Sequence, residues 1–147
     1  MKLKDKVAII TGGTKGIGYG IALEYVREGA KVVITGRNAE TGAAAEKELQ
    51  KAGGDVRYVQ CDVANTEDLQ MIVDKAVEFY GRLDIYVANA GINDSNKTHF
   101  LDITPEQYDK IMDVNLSGMF FRDQFADRQM KKQGDGGAII NISSVNA

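Results

Sequence analysis

The sequence predicts an α/β fold with an open, doubly wound parallel sheet. Three observations carry this reading. Short β-branched runs alternate along the whole chain with segments of helical period. The runs are apolar at nearly every position, as suits parallel strands covered by helices on both faces. A glycine-rich turn follows the first run and opens a helix. The chain has 147 residues, 44% hydrophobic and 27% charged, enough for one domain with a real core.

The strands predicted are VAIIT (7–11), KVVIT (31–35), VRYVQC (56–61), DIYVA (84–88) and AIINIS (138–143). After the first strand and the glycine turn a helix follows directly. After the second, a segment rich in Ala, Glu and Lys follows Asn38, and Gly53-Gly54 stops it. After the third, Leu69, Ile72, Val73, Ala76, Val77 and Tyr80 form an i, i+3, i+4, i+7 stripe. After the fourth comes a loop from about Gly91 to Ile103, well placed at the carboxyl end of the sheet. Thr104-Pro105-Glu106-Gln107 then reads as a capping box with proline at the first helical position. A further helix is expected from about Asn115 to Gln133, with Leu116, Met119, Phe120 and Phe125 facing inward, broken by Gly134, Gly136 and Gly137. The order β-α-β-α-β-α-β-α-α-β with right-handed crossovers completes a single domain over residues 1–147.

Composition excludes several classes of function. The net charge is -3, with Lys and Arg scattered among acids, so no nucleic-acid footprint is expected. The N-terminus has neither a long apolar span nor a signal-peptide cleavage pattern, and no membrane partner is expected. The lone Cys61 forms no intrachain disulfide and reads as a buried, inert thiol, which points to a reduced, cytoplasmic setting. No cluster of Cys and His with metal-ligand spacing occurs, so no metal site is expected.

The glycine turn is Thr11-Gly12-Gly13-Thr14-Lys15-Gly16-Ile17-Gly18. In a strand–turn–helix setting, Gly12 permits the tight turn, Gly16 lets backbone approach a pyrophosphate, and Gly18 allows close helix–strand packing. Free N–H groups at the helix start favour an anion. The reading is a Rossmann-type dinucleotide site; a tight turn without ligand is the alternative. A nucleoside-triphosphate P-loop is disfavoured, because no G-x-x-x-x-G-K-[ST] occurs.

Cofactor choice follows from the end of the second strand, Ile34-Thr35-Gly36-Arg37. A carboxylate there would bond the adenosine ribose of NAD. Gly36 instead leaves room and carries no charge, while Arg37 offers a planar fork of donors to a 2′-phosphate. Lys15 adds a second cation within the turn. NADP(H) is therefore expected rather than NAD(H); the alternative for Arg37 is a solvated cation leading the next helix.

TGGTKGIG resembles the cofactor turn of the short-chain dehydrogenases/reductases, in their compact 3-oxoacyl-carrier-protein-reductase-like branch. The resemblance continues through Cys61-Asp62-Val63, Asn89-Ala90-Gly91, Asn115 within MDVNLSG, and INISSV, all in the family's order. It covers the whole chain. It implies an oxidoreductase moving a hydride between a nicotinamide and a carbonyl or secondary alcohol. It also implies that Asp62 and Val63 contact the adenine and that Asn89, Ala90 and Gly91 line the cofactor channel, although Asn-Ala-Gly also reads as a plain strand-ending turn. Ser144 matches the substrate-orienting serine, with Ser143 structural. Asn115 matches an asparagine that supports a water-mediated proton path, or else simply kinks or caps its helix.

The resemblance further implies a Tyr-x-x-x-Lys pair after Ser144. None of Tyr19, Tyr25, Tyr58, Tyr80, Tyr86 and Tyr108 has a lysine four residues later. The expectation is thus the N-terminal portion of such an enzyme, truncated after the fifth strand and inactive alone. The alternatives are a non-catalytic dinucleotide-binding module, or a structural fragment without cofactor affinity. Homodimers or tetramers pairing through the helix at 115–133 are what the resemblance implies for assembly.

Overall fold

A computed structural model describes residues 1–92 and 97–143. The strands are β1 (Val7–Ile10), β2 (Lys31–Gly36), β3 (Asp55–Gln60), β4 (Ile85–Ala88) and β5 (Ala138–Asn141). The α-helices are α1 (Gly16–Arg27), α2 (Ala39–Lys51), α3 (Thr66–Tyr80), α4 (Pro105–Met112) and α5 (Gly118–Gln133). A single 3-10 turn, Phe100–Asp102, lies in the loop after β4, and a π turn, Asp113–Ser117, joins α4 to α5.

The sheet order is β3-β2-β1-β4-β5, every pair parallel. The chain therefore winds outwards from β1 in both directions, and the reversal between β1 and β4 opens a crevice at the carboxyl ends of the strands. Alternate strand residues serve opposite faces. Ile9, Val33, Val59, Tyr86 and Ala88 pack with α3 and α5. Ala8, Ile10, Val32, Ile34, Val56 and Val87 pack with α1 and α2. Being wholly covered on both sides is what makes β1 and β4 read as unbroken apolar runs.

Helix starts follow the expected chemistry. Asn38 caps α2 through Thr41 N, Asn65 caps α3 through Glu67 N and Asp68 N, and Thr104 with Gln107 forms the predicted capping box on α4. Gly81 and Gly134 end α3 and α5 in the left-handed conformation. Cys61 is buried just past β3, and burial pushes its thiol up to about 12, so it is inert.

The last helix departs from expectation. Asn115 does not start it: α4, the π turn and α5 run on without a break. The inserted residue of the π turn shifts the phase of everything after it. The buried stripe becomes Val114, Gly118, Arg122, Ala126 and Met130, at strict spacing of four. Leu116 and Phe120, expected inside, are instead 57% and 62% exposed. Met119 and Phe125 do pack against the core.

Asp84 is drawn out of the predicted fourth strand into a clamp. Its carboxylate accepts from Val7 N (2.9 Å) and from the Arg82 fork (2.9 and 2.6 Å), with Lys6 Nζ at 3.6 Å. Burial pushes its pKa up, but these partners together outweigh that and hold it below the usual aspartate value. A depressed carboxylate contributes stability above its unfolded pKa and loses it as pH falls through the folded one. Asp84→Asn should therefore lower the melting temperature at neutral pH and remove part of the acid-induced loss below about pH 4. Thermal denaturation across pH checks this; parallel curves for the two proteins would contradict it.

Among the described residues no helix is long and apolar enough to cross a membrane. No group of three His, Cys, Asp or Glu among them is placed to hold a metal ion.

Candidate dinucleotide site

The site is built at the carboxyl ends of β1, β2 and β4, where the crevice opens. Thr11, fully buried, is its hub. Its Oγ1 accepts from Asn89 N and Ala90 N (3.0 Å each) and donates to Val87 O (3.3 Å). Asn89 Nδ2 donates to Thr11 O (3.0 Å) and Gly12 O (3.3 Å). The turns after β1 and β4 are thereby locked together, so Asn89 and Ala90 border the glycine turn.

The turn glycines divide their work. Gly12 sits at φ +64 and Gly16 at φ +56, in the left-handed region. Nothing lies within 4 Å of where a Gly16 side chain would start, so that backbone is open to a ligand. Gly18 is the opposite case: a Cβ there would overlap the Gly12 carbonyl oxygen and lie 2.6 Å from Asn89 Nδ2. Gly13 packs on Ile34, where a Cβ would meet the side chain at 2.9 Å. Lys15 occupies the N-cap of α1 in extended backbone and makes no side-chain cap. Unlike α2, α3 and α4, α1 thus presents first-turn N–H groups without a side-chain acceptor, facing an open surface with the Ile17 side chain 71% exposed.

The second-strand corner adjoins this turn. Gly13 N donates to Thr35 O (3.0 Å), and a Cβ on Gly36 would fall 2.9 Å from Thr14 Cγ2. Gly36 therefore lets the two turns touch through Thr14. Arg37 and Lys15, each one residue beyond that contact, are both exposed. The Arg37 guanidinium makes no hydrogen bond or ion pair with a described residue, so its fork is available. Among the described residues no carboxylate lies at the end of β2.

On the far side, Asp62 and Val63 follow β3. Asp62 Oδ1 accepts from Ala64 N (3.0 Å) and its own amide donates to Asp68 Oδ2 (2.8 Å), while Val63 is buried. Asp62 lines an open groove with Ala64, Asn65, Thr66 and Glu67.

Asn115 lies in the π turn and turns back to the loop after β4. Its Oδ1 accepts from Ile92 N (2.9 Å) and its Nδ2 donates to Ile92 O (2.6 Å). Gly91 fits beneath it, 3.2 Å separating its Cβ position from Asn115 Oδ1. The Asn115 side chain thus anchors the loop after β4 to the π turn. Ser144 lies outside the described residues, and Ser143, at their end, is exposed.

Sequence reasoning passed over Arg122. Its side chain is completely buried and donates from Nε to Gly118 O (2.9 Å), from Nη1 to Ala90 O (3.0 Å) and from Nη2 to Val114 O (3.3 Å). One guanidinium therefore ties the π turn to the floor of the crevice at Ala90. Burial lowers its pKa from the ordinary arginine value without making it neutral. The signal was present: Arg122 falls on the spacing-of-four stripe, but only once the π turn is known.

Three of the six tyrosines are held by burial or by a carboxylate. Tyr86 is fully buried, and burial pushes its phenol far above the ordinary value, against the opposing charge of Arg122. Tyr19 donates to Glu48, and Tyr80 to Asp55, which with burial raises its pKa. His99 is exposed, its Nδ1 accepting from Leu101 N at the 3-10 turn.

The chain as a whole has known relatives. The family model for short chain dehydrogenases matches residues 6–147, and the chain belongs to that family. It is 45% identical over 145 residues to an NADP-dependent (R)-specific alcohol dehydrogenase of Lentilactobacillus kefiri, covering 98% of this chain and 56% of the relative. An L-rhamnose-1-dehydrogenase of Scheffersomyces stipitis is 43% identical, with 99% and 57% covered. A 3beta-hydroxysteroid dehydrogenase of Mediterraneibacter gnavus is 38% identical, with 98% and 51% covered. The fold superposes on the crystal structure of a short-chain type dehydrogenase/reductase from Mycobacterium marinum with a TM-score of 0.92 at 35% identity, covering 97% of this chain and 57% of that one. The chain thus spans about half the length of the relatives it matches.

Proposed function

We propose that this chain is the cofactor-binding half of an NADP(H)-dependent oxidoreductase acting on a carbonyl or secondary alcohol. The observation that carries the cofactor choice is the β2 corner: an unpaired, exposed Arg37 fork beside Gly36, with no acid in its place. The NADP-dependent alcohol dehydrogenase among the relatives supports the same choice. In this reading the α1 amides and the Gly12–Gly18 turn hold the pyrophosphate, and Arg37 with Lys15 holds the 2′-phosphate. Asp62 and Val63 border the adenine, and Asn89, Ala90 and Gly91 form the channel floor.

The nicotinamide supplies the hydride chemistry when bound. This chain's residues bind and orient. Asn115 fixes Ile92 and, with Arg122, the level of the floor beside the reacting ring; the same asparagine is assigned to the water-mediated proton path. Ser144 orients the substrate oxygen. The proton would be handled by a Tyr-x-x-x-Lys pair, which these 147 residues do not contain and which the relatives' greater length could accommodate. A lysine beside a phenol favours its ionised form, the reason such a pair works near neutral pH.

The corrected helix phase supports pairing through this helix. Leu116 and Phe120, with Tyr108 at 57% exposure on α4, present apolar surface outwards and form the face through which the complete protein pairs. The setting is a reducing one such as the cytoplasm, in keeping with the buried, unpaired Cys61.

Replacing Arg37 with Asp should weaken NADPH by roughly tenfold or more, since charge-assisted bonds to phosphate are lost and a repulsion is added, while NADH changes little. Fluorescence titration with both reduced cofactors checks this. Equal losses for the two would remove Arg37 from the phosphate site.

A further inference from the structure

The turn that presents Arg37 is held from outside itself. Three consecutive carbonyls, those of Gly36, Arg37 and Asn38, each accept from a side chain of the edge strand β3. Tyr58 Oη lies 2.8 Å from Gly36 O and 3.1 Å from Asn38 O, sharing its one proton between them. Gln60 Nε2 donates to Arg37 O at 2.9 Å. Tyr58 and Gln60 are two apart on a strand and so lie on one face, opposite Ile34 and Gly36 in the register. The ring reaches this position because α2 has glycine at 42: a Cβ there would overlap the Tyr58 ring. Asn38 meanwhile caps α2 through Thr41 N (3.0 Å).

Gly36 O and Asn38 O also accept main-chain bonds, from Cys61 N and Gly42 N (3.0 Å each), so Arg37 O is the carbonyl held by a side chain alone. All three carbonyls are engaged, and the Arg37 guanidinium is left without a partner among the described residues. Fixing the main chain on both sides of Arg37 removes part of the ordering cost of closing its fork on a phosphate.

We infer that Tyr58 and Gln60 are positioning residues for the 2′-phosphate of the cofactor, setting the preference for the phosphorylated dinucleotide without touching it. The inference rests on the Arg37 reading above and adds the residues that make its fork effective.

The test is a double-mutant cycle on the full chain, read by calorimetric binding of 2′,5′-ADP and 5′-AMP, which require no turnover. Tyr58→Phe keeps the ring against Gly42 and removes only the hydroxyl. It should weaken 2′,5′-ADP about three- to tenfold and leave 5′-AMP unchanged. Gln60→Leu should act in the same direction. In an Arg37→Ala background, Tyr58→Phe should have no further effect on 2′,5′-ADP. Equal losses for both ligands, or an undiminished effect without Arg37, would overturn the inference while the Arg37 reading stands. If Arg37→Ala itself left the preference for 2′,5′-ADP intact, that reading would fall and this one with it.

Discussion

Gly18→Ala is expected to cost the chain about 1–3 kcal/mol of stability and most of its dinucleotide affinity. The added Cβ overlaps the Gly12 carbonyl oxygen and comes 2.8 Å from the Gly12 carbonyl carbon and 2.6 Å from Asn89 Nδ2. Two of these three are backbone atoms, so the strain cannot be relieved by a flexible side chain swinging away. Either α1 lifts from β1, or the Asn89 bonds to Thr11 O and Gly12 O are broken. Both displace the amides proposed to face the pyrophosphate, and each 1.4 kcal/mol so lost is a tenfold change in binding. Gly16→Ala makes the contrast. It meets nothing within 4 Å, so its stability cost is confined to the backbone at φ +56, about 1 kcal/mol, and its effect on binding comes from bulk on the ligand side. Chemical denaturation with NADPH titration separates the two variants. A Gly18→Ala protein with unchanged stability would refute the packing role.

Arg122→Met should destabilise the fold by about 3 kcal/mol or more. Methionine fills a similar space but leaves the carbonyls of Ala90, Val114 and Gly118 without the donors they have now. Gly118 O keeps its helical bond from the residue 122 amide, so the loss falls on Ala90 O and Val114 O, and each buried carbonyl left unsatisfied costs about 1–3 kcal/mol. Because one guanidinium spans helix and crevice floor, the loss should also loosen Ala90 and the π turn carrying Asn115. Arg122→Lys should rescue poorly, since a single ammonium cannot fork across three carbonyls. Urea denaturation checks both variants; a lysine variant as stable as the parent would show that charge alone suffices.

Much of this was legible in the sequence. The central strands β2, β1 and β4 needed no tertiary information, because burial on both faces makes them largely apolar, whereas β3 and β5 lie at the sheet edges and are partly exposed. The capping residues Asn38, Asn65 and Thr104 act locally, within one helical turn, and Thr104-Pro105-x-Gln107 was read as it folds. The glycine turn was legible because its chemistry lies in the backbone. What escaped was set by phase and by distance along the chain. A π turn has no composition of its own, so helical spacing alone points Leu116 and Phe120 inward and does not mark Arg122 as buried. The Tyr58 and Gln60 bonds span 20 to 23 residues, and the Thr11–Asn89 link spans 78. No local pattern announces such pairings. The likeness to a family named the site residues Asn89 and Asn115 but not the contacts that hold them.

The central claim is that Arg37 and the glycine turn together hold a 2′-phosphorylated dinucleotide. The most direct measurement is a crystal structure of the protein grown with NADP⁺. The account predicts the pyrophosphate over the Gly12–Gly18 turn at the start of α1, with the 2′-phosphate within hydrogen-bond reach of the Arg37 guanidinium. A dinucleotide bound with its adenosine ribose turned away from Arg37, or bound elsewhere on the sheet, would contradict it.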